Sequence, residues 1–349
     1  MDRTRLHTNQ RLVVEELESR GAEIVAVAPE IELLEVRHRG RRDFLLDRFS
    51  AAAPYHMVKA SADKRLTKAL LAAAGVAVPA GERFDGSVIE EALHFADGLG
   101  YPVVAKPNWG SHGDAVRTGI GTRDRLEACL WHFVSERGPH EPFLVERHLP
   151  FPEHRVLATA AGGFASVRRE PASVTGDGRS TIAALAEAES ARRRALRAAG
   201  PTSLCPIVLD DEAREHLRRC GRTGGFDHVP AAGERVPLRL TSNLAKGGVA
   251  VDVTDELHPS VRTLAQQVLS AFRGLPIVGI DLLCADIRTP LAPGNHAVIE
   301  VNSNPGLAMH HFPGMGTPRD VAALVVDAMF DWIPARSGTR SAPSPVMAW

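Results

Sequence analysis

The stretch Val298-Ile-Glu-Val-Asn-Ser-Asn-Pro-Gly306 limits what this chain can fold into more than any other. It alternates apolar and polar residues and then breaks on Pro-Gly, the pattern of a strand that ends in a turn. Alternation puts Glu300 and Asn302 on one face and Ile299 and Val301 on the other. A carboxylate and an amide oxygen together at a strand end are hard donors of the kind Mg²⁺ takes. Upstream, Ile277-Val-Gly-Ile-Asp-Leu-Leu283 is a second apolar run, with Asp281 inside it. If the two runs pair as a hairpin, Asp281 lies beside Glu300, and Asp281, Glu300 and Asn302 can hold metal against a polyphosphate. The same residues also suit ordinary strand-end salt bridges, so the rest of the chain has to decide between the two readings.

At 349 residues the chain can bury a large core, divided into two or three lobes. With 41 basic and 42 acidic residues, no global field favours nucleic acid or an anionic membrane. An aromatic content of 5% argues against stacking platforms for single-stranded nucleic acid. No apolar run is long enough to span a bilayer, and Met1-Asp-Arg-Thr-Arg-Leu6 has no apolar signal core. Cys129, Cys205, Cys220 and Cys284 are scattered, which argues against a zinc site or disulfide framework and fits a reducing cytoplasm.

Taken in order, residues 7–20 have helical periodicity, and Glu23–Ala28, Ile31–Val36 and Arg42–Leu46 read as strands, making a small α/β lobe over residues 1–57. Ser61 is the expected N-cap of a helix that carries Lys64 and Lys68 on one face. Tyr101-Pro-Val-Val-Ala-Lys106 is a strand ending in lysine, followed by the loop Pro107-Asn-Trp-Gly-Ser-His-Gly-Asp114. Gly110 and Gly113 permit close backbone approach to phosphate oxygens and Lys106 adds charge, although the order is not that of a Walker A loop. A ligand-free hairpin turn accounts for the same residues. Pro142–His148 and His154–Thr159 are strands joined by a Pro-rich turn, a segment able to hold adenine, with Glu153 placed to accept from ribose hydroxyls. A second Gly-rich loop, Thr241–Gly248, carries Asn243 and Lys246. Residues 191–197 form a basic run that includes Arg193 and Arg194, either a solvated helix face or a contact for an anionic substrate. Thr317 is the expected cap of a helix running to Phe330, and 334–349 reads as a disordered tail.

The order of these parts resembles the ATP-grasp superfamily, and within it the ATP-grasp region of cyanophycin synthetases and bifunctional glutathione synthetases. The resemblance spans roughly residues 58–330. It rests on Asp63-Lys-Arg-Leu-Thr-Lys68, Val104-Ala-Lys-Pro-Asn108, Val145-Glu-Arg-His-Leu-Pro150 with His154-Arg155, and Arg169 with Pro171-Ala172. Further along it rests on Gly176-Asp-Gly178, Ser242-Asn243 with Gly247-Gly248, Asp252-Val-Thr254, Gly279-Ile-Asp281, Glu300-Val-Asn302 and Pro305-Gly-Leu-Ala-Met-His310.

It implies an α/β (α+β) fold in which two subdomains, about 80–160 and 161–333, grip ATP within a domain over 58–333. It implies a ligase that phosphorylates a carboxylate and passes the acyl group to an amine. ATP and two Mg²⁺ ions are the implied cofactors, amino acids or short peptides the implied substrates, and a homodimer the implied assembly. By this resemblance Asp281, Glu300 and Asn302 hold metal, and Lys64 and Lys106 meet phosphates. Ser111, His112 and Gly113 close over the phosphates, while Glu146 and Leu149 meet adenine and Glu153 the ribose. Arg169 stabilises the transition state, Asn243 and Lys246 reach toward phosphate, and His310, Arg193 and Arg194 face substrate.

Two residues depart from the cyanophycin pattern: Ala308 stands where arginine is usual, and Lys246 where a smaller residue is. A γ-glutamyl ligase of the glutathione type and a non-catalytic ATP-binding module are the competing readings.

Overall fold

Capping and periodicity set the elements of the computed structural model, which describes residues 6–110 and 115–335. The N-terminal lobe has α1 (Thr8–Ser19), β1 (Glu23–Ala28), β2 (Leu33–His38) and β3 (Arg41–Leu46), followed by α2 (Tyr55–Ala62) and α3 (Lys64–Ala73). Next come β4 (Gly81–Phe84), α4 (Ile89–Leu99), β5 (Val103–Pro107), β6 (Arg117–Ile120), α5 (Arg123–Arg137) and β7 (Phe143–Arg147). Then follow β8 (Glu153–Thr159), β9 (Phe164–Glu170), β10 (Ser173–Thr175), α6 (Ile182–Ala199), α7 (Asp211–Arg219), β11 (Arg235–Pro237) and β12 (Val249–Asp252). The last elements are α8 (Pro259–Ala271), β13 (Ile277–Cys284), β14 (His296–Asn302), α9 (Ala308–His311) and α10 (Val321–Met329).

Two expected caps move. Asp63, not Ser61, caps α3 by accepting from the Arg65 and Leu66 N–H groups. Ser61 instead closes α2, donating to the Val58 carbonyl. Asp320, not Thr317, caps α10, because Arg319 is drawn away to Asp252 and Asp255 and the helix starts only after it. Both replacements are aspartates, whose side-chain oxygens satisfy first-turn N–H groups as well as a hydroxyl does.

The strands form four antiparallel sheets, ordered β1-β2-β3, β4-β7-β5-β6, β12-β9-β8-β13-β14 and β10-β11. β8 falls inside the expected first subdomain, yet it pairs with β9 and β13, so the change from one large sheet to the other occurs in the turn before Glu153. Helices α4 and α5 cover the four-stranded sheet around Leu93, Leu126 and Phe143. Helix α8 covers one face of the five-stranded sheet around Val268, Val278, Ile280 and Val301. The other face of that sheet is apolar only at one end, where Leu157, Ala165 and Ile277 meet α1 and α10. Its remaining half is polar.

Candidate active site

Strand register builds that polar half. Asp281 on β13 stands directly opposite Glu300 on β14 and Arg155 on β8. Residues opposite one another in an antiparallel pair share a face, as do residues two apart on one strand. Arg155, Asp281 and Glu300 therefore form a row, and Glu153, Arg169 and Asn302 join the same face from neighbouring positions. The expected hairpin and its Asp281–Glu300 pairing are present. One detail differs from simple alternation: a bulge between Asp281 and Leu282 leaves Ile299 as the extra residue of β14. It turns Val298 into the apolar core while Glu300 stays on the polar face.

Gly279 shows why this row needs a residue without a side chain. A Cβ there would come within 2.5 Å of Pro305 and 3.4 Å of the Arg155 stem. The turn after β14 thus folds back over β13, and Pro305 closes on the glycine.

Asp281 is buried and accepts from Arg155 through both carboxylate oxygens, one contact at 3.0 Å, while Arg169 lies 3.2 Å away. Burial pushes its carboxyl up, but the two guanidinium groups outweigh burial and hold it below the usual carboxylate range. Glu153 accepts from Arg169 and from the Ser242 hydroxyl. The residue expected at ribose is thus tied to the arginine expected at the transition state. Arg155, to which sequence reasoning gave no role, is the main partner of Asp281; the signal for it was its register opposite Asp281.

His310 on α9 is fully buried, and neither ring nitrogen has a hydrogen-bond partner. Burial, reinforced by Arg155 and Arg169, lowers its pKa to about 3, so the ring is neutral near pH 7. The Asn302 amide nitrogen is also buried without a partner.

Across from this face, Lys106 on β5 and Lys68 on α3 reach Glu146 on β7 at 2.8 and 2.9 Å. Gly81 opposite Glu146 leaves room for that carboxylate, since a Cβ there would approach its Cγ to 2.6 Å. Burial raises the Glu146 carboxyl, but Lys106 and Lys68 outweigh it and hold it low. Lys68, which the sequence offered only as part of a basic face, is thus a working member of the cluster. Lys64 opens α3 and donates to the Gly110 carbonyl at 2.9 Å. Burial lowers its pKa, and Glu300, Lys106, Glu146 and Asp281 all act on it electrostatically. Lys64 therefore sits in the field of both sheets. Leu149 lies half-buried between β7 and β8. Ser111, His112 and Gly113 lie outside the described residues.

The remaining candidates are placed elsewhere. Asn243 caps a short 3-10 turn through the Ala245 N–H. Lys246 pairs with Glu212 at 2.9 Å and Asp210 at 3.2 Å; these carboxylates outweigh burial and raise its pKa. Asn243 and Lys246 line a cavity of about 450 Å³ with Arg117, His132, Arg137 and Glu212. Arg193 is buried under the 243–248 loop, donating to Glu189 and to the Cys205 and Gly247 carbonyls. Its guanidinium supports the loop rather than facing a substrate, a correction to the sequence expectation. Arg194 pairs with Glu187 on the exposed side of α6, also away from the polar face.

The donor set suits a hard cation: two carboxylates side by side and an amide two residues on. Among the described residues no group of three or more His, Cys, Asp or Glu could hold a metal, so the amide of Asn302 is needed to complete three. The same residues search finds no helix long and apolar enough to cross a membrane.

Comparison with known proteins agrees with this geometry. The family model described as carbamoyl-phosphate synthase L chain, ATP binding domain, matches residues 63–159. The cyanophycin synthetase of Trichormus variabilis is 39% identical over 275 residues, 78% of this chain and 29% of that protein. The glutathione biosynthesis bifunctional protein of Mannheimia succiniciproducens is 34% identical over 272 residues, 77% of this chain and 35% of that protein. The crystal structure of a bifunctional glutathione synthetase from Pasteurella multocida superposes with a TM-score of 0.66 at 25% identity, over 94% of this chain and 44% of that one. The chain thus spans about a third of the length of the curated relatives it matches. Two facing sheets with lysines on one and a carboxylate row on the other, an ATP-binding model over the first, and relatives covering both make this chain a member of the ATP-grasp ligase superfamily.

Proposed function

We propose that the chain is an ATP-dependent carboxylate–amine ligase joining amino acids or short peptides. The observation that carries this reading is the Asp281–Glu300 row with Asn302, set in the same electrostatic field as Lys64 and Lys106. In the reaction a substrate carboxylate oxygen attacks the γ-phosphorus of ATP, giving an acyl phosphate and ADP. The amine then attacks the acyl carbon, phosphate departs with the bonding electrons, and the nitrogen loses a proton. Little covalent work falls to the protein; charge must be neutralised and water kept out.

Asp281, Glu300 and Asn302 would hold Mg²⁺, whose chemistry is to neutralise charge developing on the transferring oxygens. Lys64 and Lys106 bind ATP phosphates, and Glu146 and Leu149 border adenine. Glu153, through its bonds to Arg169 and Ser242, orients Arg169 toward the acyl phosphate. Asn243 and Lys246 approach from the second loop, and Ser111, His112 and Gly113 close over the phosphates. His310, neutral and lacking a protein partner, offers a ring nitrogen to the polar group of a substrate. Ala308 and Lys246, where the chain departs from the cyanophycin pattern, point to substrates other than those of that polymer.

The test is ADP release with ATP, Mg²⁺ and a panel of amino acids and dipeptides, with products identified by mass. Amine-dependent turnover is expected, and Glu300→Ala should abolish it. Tight ATP binding with no turnover for any acid–amine pair would make the chain a nucleotide-binding module instead.

A further inference from the structure

The segment 303–308, between the metal-side residue Asn302 and the buried His310, is held from outside the two large sheets. Asn9 on α1 accepts from the backbone N–H groups of Leu307 and Ala308 at 2.8 and 2.9 Å, at the start of α9. Its amide nitrogen meets His7 Nδ1 at 3.2 Å, so both ends of the amide are used and the oxygen is fixed toward α9. Asp47 accepts from the Asn304 side chain, and Arg48 donates to the Asn304 carbonyl at 3.1 Å while pairing with Asp47 at 2.7 Å. Asp47 stands at φ +52° and Glu32, whose carbonyl accepts the Asp47 N–H, at φ +57°. Non-glycine residues in the left-handed region persist where surrounding contacts over-determine them, commonly at functional sites. On the other flank the Ser61 hydroxyl meets Ser303 at 2.9 Å.

A fold needing only to cover apolar surface would not need three side chains converging on one six-residue turn. We infer that Asn9, Asp47 and Arg48 are positioning residues: the N-terminal lobe sets the height of α9, and so places His310 against the amine substrate. This rests on the ligase reading. ATP, gripped by β5, β7 and α3, does not depend on the contact.

The experiment uses the full chain and Asn9→Ala, Asn9→Asp and Asp47→Ala. Aspartate keeps an acceptor oxygen where asparagine had one; alanine leaves two N–H groups without a partner. The probe amine is whichever member of the amino-acid and dipeptide panel the wild type turns over fastest. Asn9→Ala and Asp47→Ala should raise the KM for that amine by about ten-fold, leave the KM for ATP within about two-fold, and be rescued by Asn9→Asp. Hydrogen exchange at Leu307 and Ala308 should quicken in Asn9→Ala and return to the wild-type rate in Asn9→Asp. Parallel rises in both KM values, or an unchanged amine KM, overturn the inference, as does unchanged exchange. A wild type that releases no ADP with any amine overturns the ligase reading itself, a separate outcome from an active wild type whose Asn9→Ala variant keeps its amine KM.

Discussion

Asp281 is the residue on which the candidate site balances, because a buried carboxylate persists as an anion only where cations meet it. Arg155 supplies most of that compensation and Arg169 the rest. Replacing Arg155 by methionine keeps a stem over Gly279 but removes the charge. We expect a loss of about 3 kcal/mol, the lower end for a broken buried pair, since Arg169 remains within reach; urea unfolding at pH 7 measures it. A second residue-scale expectation concerns pH. His154 is buried on the opposite face of β8, and burial, helped by Arg168, lowers its pKa to about 4 from an ordinary 6.5. Above pH 6.5 neither folded nor unfolded chain holds that proton. Between 6.5 and 4 the unfolded chain takes it and the folded chain does not, so stability falls as pH falls through this window, by up to about 1.4 kcal/mol per pH unit. Urea midpoints between pH 7 and 5 should show that slope, and His154→Gln, which cannot titrate, should flatten it.

At the scale of elements, the strand–turn–helix unit from β14 to α9 holds the information the sequence expressed best and worst. Alternation over 298–302 correctly put Glu300 and Asn302 on one face, because that pattern follows from backbone geometry alone. The bulge at Ile299 was not legible, since it follows from how β13 and β14 meet and from Val298 finding the core. Arg193 and Arg194 sit in one basic run, and nothing local to the run tells that the first is buried under a loop and the second solvated. Lys68 was read as half of a basic face, as Glu146 lies 78 residues further on. Gly279 offers the element-scale test. With Pro305 at 2.5 Å from a modelless Cβ position, Gly279→Ala must push the turn off β13. Overpacking of this kind costs roughly 1–3 kcal/mol. We expect a lower thermal midpoint together with a raised KM for the amine substrate; a shifted midpoint with unchanged kinetics would show that the turn can move without disturbing the site.

At the scale of the whole molecule, the lobe expected over 1–57 has its own sheet but not its own core. Leu12, Val13, Leu17, Leu34 and Leu45 share one cluster with Val321, Val325, Val326, Met329 and Phe330 of the C-terminal region and with Ile277 of the large sheet. Arg20 ties α1 to α10 through Asp327 at 2.6 Å and the Ala323 carbonyl at 3.2 Å. Hydrophobic patterning marked each of these segments as amphipathic, but no local pattern can say which distant face a stripe will meet. The consequence is that the lobe should not be removable. A chain beginning at residue 58 would return five side chains of α10 and its C-terminal flank, each at most 3% exposed here, to water. At roughly 1.5–3 kcal/mol for each fully buried side chain, that loss rivals the roughly 5–15 kcal/mol by which a domain is stable at all. We expect the shortened chain to lose cooperative thermal unfolding and to bind hydrophobic dyes. Adding Mg²⁺ and ATP should not restore a sharp transition, because the nucleotide is gripped by the other sheet and stabilises only chains that already fold. A shortened chain that unfolds cooperatively, within a few degrees of the full one, would instead make residues 58–335 a self-sufficient unit and leave the N-terminal lobe as an attachment whose only work is at the turn 303–308.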